Sequence, residues 1–286
     1  MFRISKDIGR RWCKEGQALV DEIKDTKLPS GEIAFWYMGQ LGVIIKSCDV
    51  TIGVDLVLND LIEDGASVRF YPAPFEPDAL KLDYVLCSHG HGDHMAIPTL
   101  QGLAKANPEL RIIVPKGCAD TLSAAGISNE QICGVNAGEK REFSGMTLRT
   151  VQAAHPVHEV DAQGNDISLS FHISVDGASV LHTGDSYLTD QLYADYMALP
   201  TPDIYISPIN GGDYFRDRWE CIGNFNFPEV IHLFKAVGAS LLVPMHFDMI
   251  YGNTLDPLPF IRQLWDVVPD ARFALPALGE RILYRR

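Results

Sequence analysis

"CSHGHGDHMAIP", residues Cys87–Pro98, places three histidines and an aspartate within six positions: His89, His91, Asp93 and His94. The stretch ends "LDYVLCS" (82–88), an apolar run of strand character. It leads into "AIPTLQGLAKANPEL", whose apolar residues recur at helical spacing, with Asn107-Pro108 as the stop. A strand end is a rigid, exposed mounting for ligands. His89 and His91 are two apart, so in an extended segment they project to the same side. Gly90 and Gly92 remove side chains that would crowd a metal and permit unusual backbone angles. Asp93 and His94 sit where the next helix starts and, being adjacent, point in different directions. Four such groups converge poorly on one ion, and two ions a few ångströms apart suit them better.

The remaining ligands must come from afar, and the chain has nine histidines from which to draw. Three downstream stretches each put a ligand-type residue at the end of an apolar strand: "TVQAAHPVH" (His155, His158), "SVLHTGDS" (Asp185) and "LLVPMHFD" (His246). His155 follows its strand directly and precedes Pro156, so it is the favoured ligand; His158 stays open as a competitor or as a group facing the substrate. His172 and His182 lie in strands and His232 in a helix, which marks them as packing or surface histidines. His182 is also placed to support Asp185 from behind.

Around these motifs the pattern alternates strand and helix. Residues 1–28 read as a helix carrying Trp12, Leu19, Val20 and Ile23, and "LPSGE" breaks it. "IAFWYMG" (33–39), "LGVIIKS" (41–47), "VTIGVDLVLND" (50–60) and "RIIVP" (111–115) read as strands, with a short helix near 117–125. "VNAGEKREF", "MTLRTVQAA", "ISLSFHISVDG" and "ASVLHTGD" give further strands, with Asp176-Gly177 as a hairpin turn. "DIYISPI" (203–209) and "ASLLVPMH" (239–246) flank the helix "PEVIHLFKAVG", which Asn226 caps and Gly238 stops. "LDPLPFIRQLW" is the last helix and "RFALPALGERILYR" a final hairpin. Two β-rich halves with helices outside predict an α/β fold of the αββα sandwich kind, within one domain over 1–286 that opens on a helical segment, 1–30.

Of the 286 residues, 47% are apolar and 21% charged, which is enough to bury a large core. The net charge of −13 repels phosphate backbones, so nucleic acid is not the expected partner. The six cysteines form no C-x-x-C pair and read as free thiols in a reducing compartment. "MFRISKDIGRRWCKEG" lacks a secretory apolar region, and no run approaches a membrane span, so a cytoplasmic protein is expected.

H-x-H-x-D-H, then a strand-end His, a "TGD" and a later strand-end His, resembles the metallo-β-lactamase superfamily. "FWYMGQLGVIIKS", "TIGVDL", "LDYVLCSHGHGDH", "LHTGDSYLTDQLYADY" and "LLVPMHFDMIYGNTLDP" are similar to the L-ascorbate-6-phosphate lactonase family, and the likeness covers most of the chain. There are departures. The chain is shorter between Asp55 and Pro72, and Gly90 and Gly92 stand where polar residues are usual. Phe247 replaces a second histidine, and "AAHPVH" differs. The resemblance implies two sheets face to face with helices outside, in a cytoplasmic homo-oligomer. It also implies a first metal on His89, His91 and His155, a second on Asp93, His94 and His246, and Asp185 bridging. Imidazole and carboxylate ligands without thiolate suit Zn²⁺, Mn²⁺ or Fe²⁺; the lactonases use Mn²⁺, the wider superfamily mostly Zn²⁺.

Two such ions lower the pKa of a bridging water, which attacks a carbonyl or phosphoryl centre while the second ion stabilises the oxyanion. Asp93 would orient the nucleophile or pass a proton to the leaving oxygen. The loop "INGGDYFRDRWECIGNFN" (209–226) offers Asn210, Tyr214, Arg216, Arg218 and Trp219 to an anionic substrate. The expected function is therefore a metal-dependent hydrolase of a small anionic molecule, a sugar-phosphate lactone foremost. A phosphodiesterase acting on a cyclic nucleotide, phospholipid or RNA is the alternative. A di-iron redox enzyme on the same fold usually carries glutamate at the position of His91, and a non-catalytic relative would have lost ligands that are all present here.

Overall fold

A computed structural model describes residues 11–218 and 221–286. In chain order the elements are α1 (Gly16–Asp25), β1 (Glu32–Gly39), β2 (Gly42–Lys46), β3 (Thr51–Val54) and a small hairpin of β4 (Ile62–Glu63) and β5 (Ala66–Ser67). Next come β6 (Tyr84–Leu86), α2 (Ile97–Ala106), β7 (Arg111–Pro115), α3 (Ala119–Ala124) and β8 (Ile132–Val135). The second half holds β9 (Lys140–Phe143), β10 (Met146–Gln152), β11 (Leu169–Val175), β12 (Ala178–His182), α4 (Asp190–Ala198) and β13 (Ile204–Pro208). It closes with α5 (Tyr214–Arg218), α6 (Phe227–Val237), β14 (Leu241–Met245), α7 (Leu258–Val267) and β15 (Arg281–Arg285).

The strands form a seven-stranded sheet, β15-β1-β2-β3-β6-β7-β8, and a six-stranded sheet, β14-β13-β12-β11-β10-β9. Period-two alternation explains why they stack. In β11, Phe171, Ile173 and Val175 enter one apolar cluster with Phe35, Ile52 and Val85 of the other sheet. Ile204 and Ile206 of β13 join that cluster, while Tyr205 between them enters a second one with Leu192 of α4, Phe234 of α6 and Phe260 of α7. Leu19 of α1, Leu103 of α2 and Leu122 of α3 cover the other flank. The result is the αββα sandwich that the pattern predicts. No helix among the described residues is long and apolar enough to cross a membrane.

Local signals hold where they are chemical. Asn226 caps α6 in a reciprocal capping box with Glu229, and Gly238 ends it at φ +71°. Asp176 and Gly177 both take positive φ in the β11–β12 turn.

Four expectations change. Helix α1 starts at Gly16; Trp12 precedes it and donates its indole N–H to the Pro72 carbonyl, and residues 1–10 lie outside the described residues. The strand expected over 50–60 ends at Val54, because Asp55 turns the chain at φ +47°. "VNAGEKREF" divides between two sheets, β8 and β9. The final hairpin does not form: Phe273 bridges Leu242 while β15 pairs with β1, so its two arms serve different sheets.

Candidate metal centre

Strand direction brings the motifs together. β3 runs parallel to β6, and β1 points the same way because both are antiparallel to β2. In the other sheet β12 and β14 run parallel to β13, and β10 matches β12 across antiparallel β11. Seven of these strands therefore end at one edge of the sandwich, and six of the seven lead into residues of the site. Gln40 follows β1, Asp55 follows β3, and His89 to His94 follow β6. His155 follows β10, Asp185 follows β12 and His246 follows β14. The sheets clasp there, with His89 bridging Ser168 and the Leu169 N–H donating to the Ser88 carbonyl at 2.8 Å.

Two groups of ligand atoms result. His91 Nδ1 lies 2.9 Å from His89 Nε2 and 3.3 Å from His155 Nε2. Asp93 Oδ2 lies 3.4 Å from His94 Nε2 and 3.7 Å from His246 Nε2. Asp185 Oδ2 stands between the groups, 3.1 Å from His246 Nε2, 3.5 Å from His94 Nε2 and 3.9 Å from His155 Nε2. His158 is not among them: its Nε2 lies 2.9 Å from Thr189 Oγ1, the hydroxyl that caps α4. The rim is open at His91 and its neighbours Gly90 and Gly92, and everything behind is buried.

The atoms fit a cation because acceptors outnumber the protons available between them. The Ser88 hydroxyl donates to Asp55 Oδ2 at 2.7 Å, so the contact between His89 Nδ1 and Ser88 Oγ must be donated by the ring. That leaves a lone pair on His89 Nε2, aimed at His91. His94 donates from Nδ1 to Asp55 Oδ2 at 2.8 Å, so its Nε2 faces the carboxylates of Asp93 and Asp185. His94 Nε2 and Asp185 Oδ1 are buried without a hydrogen-bond partner. Clustered acceptors of this kind, with outer partners fixing His89 and His94, are what divalent ions require.

Charge follows the same arrangement. Burial pulls the His94 imidazolium down, but Asp185, Asp93 and Asp55 outweigh it and hold the ring well above the ordinary histidine value. Burial keeps His89 well below that value and pushes His155 down to about 4, against the pull of Asp185. Asp93 and Asp185 resist their own burial because His94 and His246 hold both carboxylates below the usual range.

Three supporting residues, Asp55, Gln40 and Ser88, had no assigned role. Asp55 accepts from the Ser88 backbone N–H at 2.7 Å, from the Ser88 hydroxyl and from His94, all without exposure to solvent. Its signal was available: "TIGVD" ends an apolar strand on a carboxylate, as the stretches before Asp185 and His246 end on a ligand. Gln40 and Ser88 gave no such signal. His182 accepts from the Gly184 N–H and donates to the Leu41 carbonyl at 2.9 Å, so it supports the Asp185 turn through the backbone.

Gly90 and Gly92 do not have the unusual backbone angles expected of them: neither takes a positive φ. A Cβ would meet nothing within 4 Å at Gly92 and only ordinary contacts at Gly90. The constrained glycine is Gly184, at φ +61°, where a Cβ would lie 2.7 Å from that of Ser88.

The loop residues proposed for substrate are engaged elsewhere. Arg216 donates to Asp213, to Asn253 Oδ1 at 3.0 Å and to the Asn210 carbonyl at 2.6 Å. Asn210 spends its side chain on Asn253 and Asn224. Arg218 is exposed and lies over the ring of exposed Tyr214. Trp219 lies outside the described residues.

Residues 54–247 match the sequence pattern of the beta-lactamase superfamily domain. A UPF0173 metal-dependent hydrolase of Archaeoglobus fulgidus is 30% identical over 194 residues, 66% of this chain and 76% of that protein. A probable L-ascorbate-6-phosphate lactonase, UlaG of Shigella dysenteriae, is 24% identical over 89% of this chain and 80% of its own. Among solved structures, Igni18, a metallo hydrolase from Ignicoccus hospitalis, superposes with a TM-score of 0.69 at 18% identity, over 89% of this chain and 99% of that one. At that identity the likeness speaks for the fold.

Proposed function

The chain belongs to the beta-lactamase superfamily as a metal-dependent hydrolase, and on that premise we propose that it opens the lactone ring of a small anionic sugar phosphate at a centre for two divalent ions. L-ascorbate 6-phosphate is the first compound to try, on the strength of the similarity to the lactonase over 89% of this chain. The observation that carries the dinuclear reading is the position of Asp185 Oδ2, within 4 Å of histidines from both groups.

His89, His91 and His155 would hold one ion, Asp93, His94 and His246 the other, with Asp185 between them. Mn²⁺ or Zn²⁺ bound there supplies an activated water near neutral pH and polarises the carbonyl. The protein's own part is orientation. Asp55 fixes His94 directly and His89 through Ser88, so one buried carboxylate sets two ring planes. Asp93 keeps 17% of its side chain exposed, against 5% for Asp185. It is therefore the carboxylate placed to meet a substrate, orient the attacking water and return a proton to the leaving oxygen. Asp93→Asn with full metal content and full activity would exclude that role.

The test is metal content and turnover measured together. Protein purified without chelators is analysed for Mn, Zn and Fe, then assayed on sugar-phosphate lactones and phosphodiesters. About two ions per chain with lactone turnover supports the proposal. Two ions with phosphodiester turnover alone keeps the centre and moves the reaction to the phosphodiesterase alternative. Less than one ion, not restored by added Mn²⁺ or Zn²⁺, rejects the dinuclear centre.

A further inference from the structure

The turn between β1 and β2, "GQLG" (39–42), is built into the metal centre at every point. Gln40 is fully buried and sits at φ +56°, a region that glycine or asparagine fills with less strain. Its backbone N–H donates to Asp248 Oδ1 at 3.1 Å, and its carbonyl accepts from the His246 N–H at 2.7 Å. The next carbonyl, Leu41, accepts from His182. Gly39 lets the turn approach: a Cβ there would lie 2.2 Å from the Tyr71 hydroxyl.

The side chain goes further. Gln40 Nε2 donates to Asp93 Oδ2 at 2.7 Å and lies 3.0 Å from His246 Nε2. The Asp93 carboxylate fixes which way the amide faces, because a carbonyl oxygen in that place would meet another acceptor. Gln40 Oε1 is consequently buried with no partner. A left-handed backbone and an unsatisfied buried oxygen are both unfavourable, and a turn that served only the fold would need neither. What the arrangement achieves is a fixed distance between Asp93 and His246, which come from opposite sheets.

We propose that Gln40 is the positioning residue of the half-site formed by Asp93, His94 and His246, and that it sets this half-site's ion affinity apart from that of His89, His91 and His155. The inference rests on the dinuclear reading. It requires no titration at the site and no contact between Gln40 and substrate. Asp93 Oδ2 has two lone pairs, so it can keep the amide's hydrogen bond and still face the ion. His246 Nε2 has one and would turn it from the amide to the ion, its ring held through the bond between the His246 N–H and the Gln40 carbonyl.

The experiment uses full-length protein stripped of metal, titrated with Co²⁺ by visible absorption and with Zn²⁺ by calorimetry. Gln40→Met keeps length and shape without a donor. Gln40→Asn suits the left-handed backbone but is one methylene too short to reach Asp93. The His246→Ala protein identifies which equivalent belongs to this half-site. Both Gln40 variants are expected to bind one ion as the wild type does and that equivalent about 10- to 100-fold more weakly, with its cobalt bands changed. Two wild-type affinities in either folded variant would overturn the inference. So would equal weakening of both ions with a lowered melting temperature, or failure of both variants to fold, since each describes a role in the fold alone. A wild type that binds fewer than two ions overturns the dinuclear reading itself, and this inference with it.

Discussion

His89, His91 and His155 meet as three imidazoles of which His91 forms the open rim, and the outer nitrogens of His155 and, in the other group, of His246 have no partner. Partly exposed Asp93 meets the more deeply buried His94 and His246, where a buried Asp55 grips His94 and Gln40 contacts the other two. The rim group contains no carboxylate and has one anchored ring, His89, held through Ser88. The deep group brings its own negative charge and is tied from both sheets. The difference teaches that neighbouring ligand groups can be prepared unequally: the imidazole group has few outer restraints, whereas the carboxylate group is held by Asp55 and Gln40 whether or not an ion is bound.

Asp185 belongs to both groups, so its loss should remove the contrast altogether. Asp185→Asn is expected to weaken both ions and to reduce turnover by more than the ~100-fold ceiling of an outer-shell substitution. Metal analysis after dialysis checks it; retention of two ions would show that the groups are independent. Asp55→Asn comes next. It still accepts from Ser88 but holds His94 less firmly, and through Ser88 it reaches His89. Both affinities should fall by about 10- to 100-fold. Loss at the deep group alone would mean that the Ser88 relay to the rim is slack.

Protons sharpen the contrast without a mutation. His94 is held protonated by three carboxylates, and a proton on Nε2 competes with the ion for the same lone pair. Burial has already removed that competition from His89, and from His155 down to about pH 4. Lowering pH from about 7 to about 5.5 should therefore weaken the deep ion by up to about tenfold per unit, since each ion bound there releases a proton. His89 and His155 stay neutral across that window and add no such dependence to the rim. Ion occupancy measured by titration at both pH values decides it; a deep group whose affinity does not change with pH would refute the assignment of the proton to His94.

Much of this was legible in the chain because it lies in contiguous motifs. "SHGHGDH", "HTGD" and "VPMH" each put a ligand type after an apolar strand, and parallel strand ends gather such residues by topology alone. The choice of His155 over His158 also followed from adjacency to the strand. What the sequence hid was long-range. Gln40 meets Asp93 across 53 positions and His246 across 206, and no local pattern separates a turn glutamine of this kind from one facing water. Arg216 looked like an anion receptor because its partners, Asn210 and Asn253, are invisible as partners until the loop closes. The final hairpin failed for a related reason: a strand's propensity does not say which sheet will accept it.

The glycines show the same limit at the smallest scale. Gly90 and Gly92 drew attention because they separate ligands, and Gly184 did not, yet only Gly184 is crowded and left-handed. A methyl group at Gly184 must displace Ser88, the residue that holds His89, so Gly184→Ala is expected to cost about 2 to 4 kcal/mol from strain and crowding together. Gly92→Ala adds a methyl group to open space at an unstrained angle and should change stability by no more than about 0.5 kcal/mol. Denaturant melts of the two metal-free variants make the comparison. If Gly92→Ala proves the more damaging, the rim must be packed more tightly in the metal-free protein than the present geometry requires, and the contrast between an open rim and a preset interior would fail at its first half.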